Sequence, residues 1–114
     1  MVKDYKLPSI NEFHDRRVLT RYKQDLNKSG LITEEAHAFY GSAAFLEVYY
    51  THCKSTNKIH KIDELPRIEE DFKKNAEVIL KTFQDKGKIL QFNHAKEIIK
   101  RVEDTKRLFD SLNK

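Results

Sequence analysis

Five histidines and a single cysteine are the side chains in this sequence best suited to chemistry, and their spacing limits what they can do. Glu34 and His37 stand three apart, the spacing by which one helix turns a carboxylate and an imidazole toward a shared metal ion. A dinuclear bundle site needs a second such pair and further inward carboxylates at mid-helix, and this pair is a single copy at a helix start. Glu34 and Glu35 are therefore read as first-turn acids facing the positive end of the helix dipole, with His37 as a packing residue. His52 and Cys53 are adjacent, so on a helix their side chains diverge by about 100° and cannot serve each other as base and nucleophile. His14, His37, His52, His60 and His94 lack ligand spacing, and the lone Cys53 excludes both an intramolecular disulfide and a cysteine-rich zinc site. The expectation is a chain with no catalytic constellation, no metal site and no cofactor.

Basic residues form a second candidate. Arg16, Arg17, Arg21, Lys23 and Lys28 fall close together and are opposed only by Asp15 and Asp25. Lys54, Lys58 and Lys61 follow with His60 in a polar stretch that contains no acid. If the two groups share a side of the fold, they neutralise phosphates and give salt-sensitive, sequence-tolerant nucleic-acid binding, with Tyr22 as a stacking residue. The competing reading is a solvated cationic face, since 22 Lys+Arg against 18 Asp+Glu leaves an excess of only +4.

Helices must position these residues. Only 3 Gly and 2 Pro occur in 114 residues, too few for the turns of a many-stranded β fold. Ser9 and Glu12 form a capping box that starts a first helix at about 9–28, ended by Gly30. Thr33 caps a second helix at about 34–55. Asp63, Glu64 and Pro66 start a third at about 64–86, stopped by Gly87, and Asn93 caps a fourth at about 93–112. The basic loop is expected at 54–62. Leu65, Ile68, Phe72, Ile79 and Phe83 make one stripe, and Ala95, Ile98, Val102, Phe109 and Leu112 make another. Acid-to-base pairs four apart, such as Glu69–Lys73, Glu97–Arg101 and Glu103–Arg107, mark the opposite faces as solvated.

The second helix breaks this amphipathic pattern. From Ala36 to Cys53 it is apolar almost all round, with Glu47 as its only formal charge, the mark of a buried central helix. Gly41 in its middle costs about 1 kcal/mol relative to Ala, which close approach of another helix would offset. The turn before this helix suggests helix-turn-helix DNA recognition, but a recognition helix needs a polar face and this one has none after Ala38.

These readings converge on an all-α, up-and-down four-helix bundle formed as a single domain over 1–114, with the third and fourth helices paired as a hairpin across the apolar second. The opening residues carry no apolar signal segment and no run is long enough to span a membrane, so a reducing cytoplasm is expected. The leading functional expectation is a non-enzymatic interaction protein, acting as adaptor, inhibitor or assembly subunit. Its partner is another protein or a second copy in a homodimer, with Tyr40, Gly41, Ala44, Phe45, Tyr49 and Tyr50 as the interface. The alternative is nucleic-acid binding through the eight basic residues named above.

Overall fold

The computed structural model describes residues 16–113, which form four helices and a closing 3-10 turn. They are α1 (Arg16–Ser29), α2 (Glu34–Thr56), α3 (Leu65–Asp85) and α4 (Ile89–Asp110), with the 3-10 turn at Ser111–Asn113. The architecture is the expected all-α four-helix bundle. Helix α2 is its axis, with α1 against one side and the α3/α4 hairpin against the other. The capping box at Ser9 and Glu12 and the histidine at 14 lie outside the described residues.

Turn chemistry explains the boundaries. Thr33 accepts the Ala36 amide on its hydroxyl at 3.1 Å, satisfying one of the orphan donors that begin α2. Gly30 and Gly87 take φ of +69° and +67°, a left-handed conformation that favours glycine, and each reverses the chain within a few residues. At Gly87 the reversal is so tight that α4 restarts at Ile89, and the Phe92 amide already donates to the Lys88 carbonyl at 2.9 Å. Asn93 is therefore inside α4 rather than capping it, a correction of one turn. At the far end of α2, Asn57 at φ +52° donates its amide back to the last turn, and this moves Lys54 out of the loop and onto the helix.

The apolar circumference of α2 is used up by its neighbours. Phe39 stacks on Phe72 of α3 at 5.6 Å between centroids, and Tyr49 and Tyr50 meet Phe109 of α4 at 5.4 and 5.0 Å. Val18 and Tyr22 cover the remaining side from α1. Burying each such side chain stabilises the fold by roughly 1.5–3 kcal/mol, so the core around α2 dominates stability. The α3 stripe is buried at Ile68, Phe72, Ala76, Ile79 and Phe83, with Leu65 half-buried at its start.

Three of the expected i,i+4 pairs give way to other contacts. Glu69 turns inward, accepting the Tyr50 hydroxyl and pairing with Lys106 of α4 at 3.5 Å. Arg101 leaves Glu97 for Glu47 and Asp25, and Arg107 pairs with Asp104 at 3.2 Å. Glu69 and Arg101 gain partners across the bundle through less exposed carboxylates, where water screens the pair less, whereas Arg107 exchanges one exposed neighbour on its own helix for another.

Candidate anion-binding groove

Helices α1 and α2 run antiparallel, and between them opens a groove of about 550 Å³. From α1 it takes Arg16, Arg17, Thr20, Arg21 and Gln24, residues three and four apart that share one face of the helix. The opposite face of α1 carries Val18 and Tyr22 into the core, so packing of those two fixes the direction in which the arginines point. From α2 come Glu47, Val48, Thr51, His52 and Ser55, again on one face. Three guanidinium groups, three hydroxyls, an amide and an imidazole thus line one surface. Such a surface donates hydrogen bonds and attracts anions.

Its floor contains an ion-pair chain. The Glu47 side chain is only 7% exposed, and its Oε2 accepts from Arg21 Nη1 at 2.7 Å. Its Oε1 lies 3.5 Å from Arg101 Nε of α4. Arg101 reaches on to Asp25 of α1 at 4.0 Å, and Asp25 faces His94 Nε2 at 3.6 Å. A lone buried carboxylate would be strongly destabilising, and here two guanidinium groups share it. The chain also ties α1 to α4.

The structure brings together three of the eight candidate basic residues, Arg16, Arg17 and Arg21. Lys23 does not line the groove, although seven residues from Arg16 puts it within about 20° of that arginine on the helix, two turns along. Lys28 is exposed further along α1. Lys54 faces the start of the 3-10 turn, its Nζ 3.4 Å from Ser111 Oγ. Lys58 and Lys61 are exposed on the connection that leaves the end of α2. Tyr22 is 4% exposed, and its hydroxyl lies 2.5 Å from His37 Nδ1. It cannot stack on a base, and the expectation that it does is corrected: covering α2 requires its ring inside.

The six residues expected at a partner interface are all interior. Tyr40, Ala44, Phe45, Tyr49 and Tyr50 are at most 1% exposed and Gly41 is buried. Their bulk is absorbed by α1, α3 and α4, so the folded chain does not offer them to a partner. Burial pushes the ionisation of Tyr40, Tyr49 and Tyr50 well above the usual tyrosine range, and for Tyr50 the Glu69 carboxylate adds to the effect.

Other chemistry-bearing residues are dispersed. Cys53 is fully buried, and His37 is buried with its Nδ1 against the Tyr22 hydroxyl, while Glu34 is exposed. His52 lies 4.7 Å from His60 between ring centroids, an approach that sequence distance concealed. Among the described residues no group of three or more His, Cys, Asp or Glu could hold a metal ion. Among them, too, no helix is long and apolar enough to cross a membrane.

Sequence reasoning missed Thr20, Gln24, Thr51, Ser55 and, above all, Glu47 and Arg101. Glu47 carried a signal: a lone acid in an apolar helix requires a buried cation, and that cation had to come from a neighbouring helix.

Compared with protein-family models, with curated proteins and with solved structures, the chain gives no significant match to any.

Proposed function

We propose that this chain is a binding protein whose α1/α2 groove takes the phosphate backbone of a nucleic acid. The supporting observation is the convergence of Arg16, Arg17 and Arg21 on one open groove with the hydroxyls of Thr20, Thr51 and Ser55. Guanidinium forks match phosphate oxygens bidentately, and hydroxyls hydrogen-bond phosphate and sugar. Contacts of this kind carry no base readout, so binding is sequence-tolerant, with dissociation constants on the order of 10⁻⁴–10⁻⁶ M at physiological salt. The buried cysteine is compatible with a reducing compartment, and the cytoplasm is the proposed location.

The test is fluorescence anisotropy of a labelled oligothymidylate at two salt concentrations. Arg16→Glu with Arg17→Glu should abolish binding, while the charge-matched Lys73→Glu with Lys81→Glu, exposed on α3, should leave it within about twofold. Equal losses in both variants would mean that bulk charge, not the groove, does the binding.

A second reading keeps a protein partner but moves its surface. Ile32, in the α1–α2 turn, and Ile89 and Leu90, in the first turn of α4, are 75%, 71% and 82% exposed, and these two places share one end of an up-and-down bundle. Exposed apolar groups of this size favour contact with another protein or a second copy. Light scattering decides it: a dimer that persists in high salt supports this surface, and a monomer at all concentrations removes it.

A further inference from the structure

We infer that Glu47 is a positioning residue of the groove, acting on the ligand through Arg21; this rests on the reading of the groove as a phosphate site. Glu47 engages Nη1 of Arg21 at 2.7 Å, and a guanidinium carries Nη2–H and Nε–H donors on its other edge. The Arg21 side chain is 44% exposed while the Glu47 carboxylate is 7% exposed. One edge of the fork is thus fixed to the floor, and the rest stands in the groove.

An acid beside an anion site would ordinarily weaken it. Arg101 meets that objection, because its Nε approaches the second Glu47 oxygen at 3.5 Å, and with Asp25 at its other side the charges of Arg21, Glu47, Arg101 and Asp25 balance, so that Arg16 and Arg17 leave the groove cationic. The groove keeps its positive charge, and Arg21 is held in one orientation. A free arginine loses rotamer freedom when it binds phosphate, and Arg21 has surrendered much of that freedom already. The device explains why the single formal charge between Ala36 and Cys53 lies under α1. Stability alone does not require it, since apolar residues of similar volume pack as well.

Orientation and mere neutralisation predict opposite signs. If Glu47 only neutralised Arg21, Glu47→Gln would add positive potential and tighten oligothymidylate binding. As a positioning residue its loss weakens binding by about three- to tenfold, the expected effect of freeing one side chain. The slope of log affinity against log salt should not fall in that variant, because Arg21 keeps its charge, whereas Arg21→Ala should lower its magnitude by about 0.7, the loss of one phosphate contact on a single strand. In an Arg21→Ala background, Glu47→Gln should no longer weaken binding, because the effect passes through Arg21. Circular dichroism melting of each variant separates this from unfolding.

Arg21→Lys on the exposed side provides a second arm: it keeps the charge but not the fork, and should weaken binding about threefold or more. Tighter binding by Glu47→Gln, or Arg21→Lys within a factor of two of the unsubstituted chain, overturns the positioning role. Failure of the unsubstituted chain to bind the oligonucleotide would instead overturn the phosphate groove, and with it this inference.

Discussion

The Tyr22 hydroxyl and His37 Nδ1 stand 2.5 Å apart in the seam between α1 and α2, both side chains buried. α1 packs mainly on α2, and this bond and the Glu47–Arg21 pair are polar anchors between the two helices. Tyr22→Phe leaves the ring in place but strands the imidazole nitrogen. The expected loss is about 1–3 kcal/mol, read as a lowered denaturation midpoint together with faster amide exchange in α1 than in α3 or α4. Uniform exchange across all four helices would show that α1 is not the weakest element.

Alkaline pH tests the buried tyrosines. Tyr40, Tyr49 and Tyr50 ionise above the ordinary value of 10.0 in the folded chain, chiefly because burial disfavours the phenolate. Above about pH 10 the unfolded chain has released protons that the folded chain retains, so stability is complete below that pH and falls as pH rises. Ultraviolet titration should therefore show these tyrosines resisting ionisation until the protein unfolds. A smooth titration of all tyrosines around pH 10 with no loss of helicity would contradict their burial.

Phe39 is fully buried and stacked on Phe72. Phe39→Ala removes a ring from the centre of the α2/α3 contact and should cost about 3–5 kcal/mol, a large share of the stability of a domain this size. A shift below about 1 kcal/mol would mean that the site collapses around the smaller residue and that α2 is less central than its burial indicates.

Leu90 supplies the converse. At 82% exposed it contributes little to the fold, so Leu90→Ser should change stability by no more than about 0.5 kcal/mol. A substantially larger loss in calorimetry would place Leu90 in a contact that exposure conceals.

Much of the bundle was legible in residue patterns because its elements obey local rules. Thr33 caps α2 as its hydroxyl suggests, Gly30 and Gly87 take the left-handed turns that their positions require, and the stripes of α3 and α4 bury their periodic residues. The apolar surround of α2 was legible as burial, but its consequence was read outward, toward a partner, when three neighbouring helices absorb it. The groove was half legible. Arg17 and Arg21 share a helix face by spacing alone, whereas the opposing wall of Thr51, His52 and Ser55 depends on which face of α2 meets α1. Ion pairs followed the same division: Glu69 and Arg101 have good partners four residues away, yet tertiary contacts with Tyr50, Lys106, Glu47 and Asp25 take precedence, and sequence distance does not encode those.

The central claim is that the α1/α2 groove is where a nucleic-acid backbone lies, and amide chemical shifts recorded during titration with oligothymidylate test it most directly. The account predicts low-salt shifts concentrated at 16–24 and 47–55, reversed by added salt. Shifts confined to Ile32, Ile89 and Leu90, or spread evenly over every exposed lysine, would contradict it.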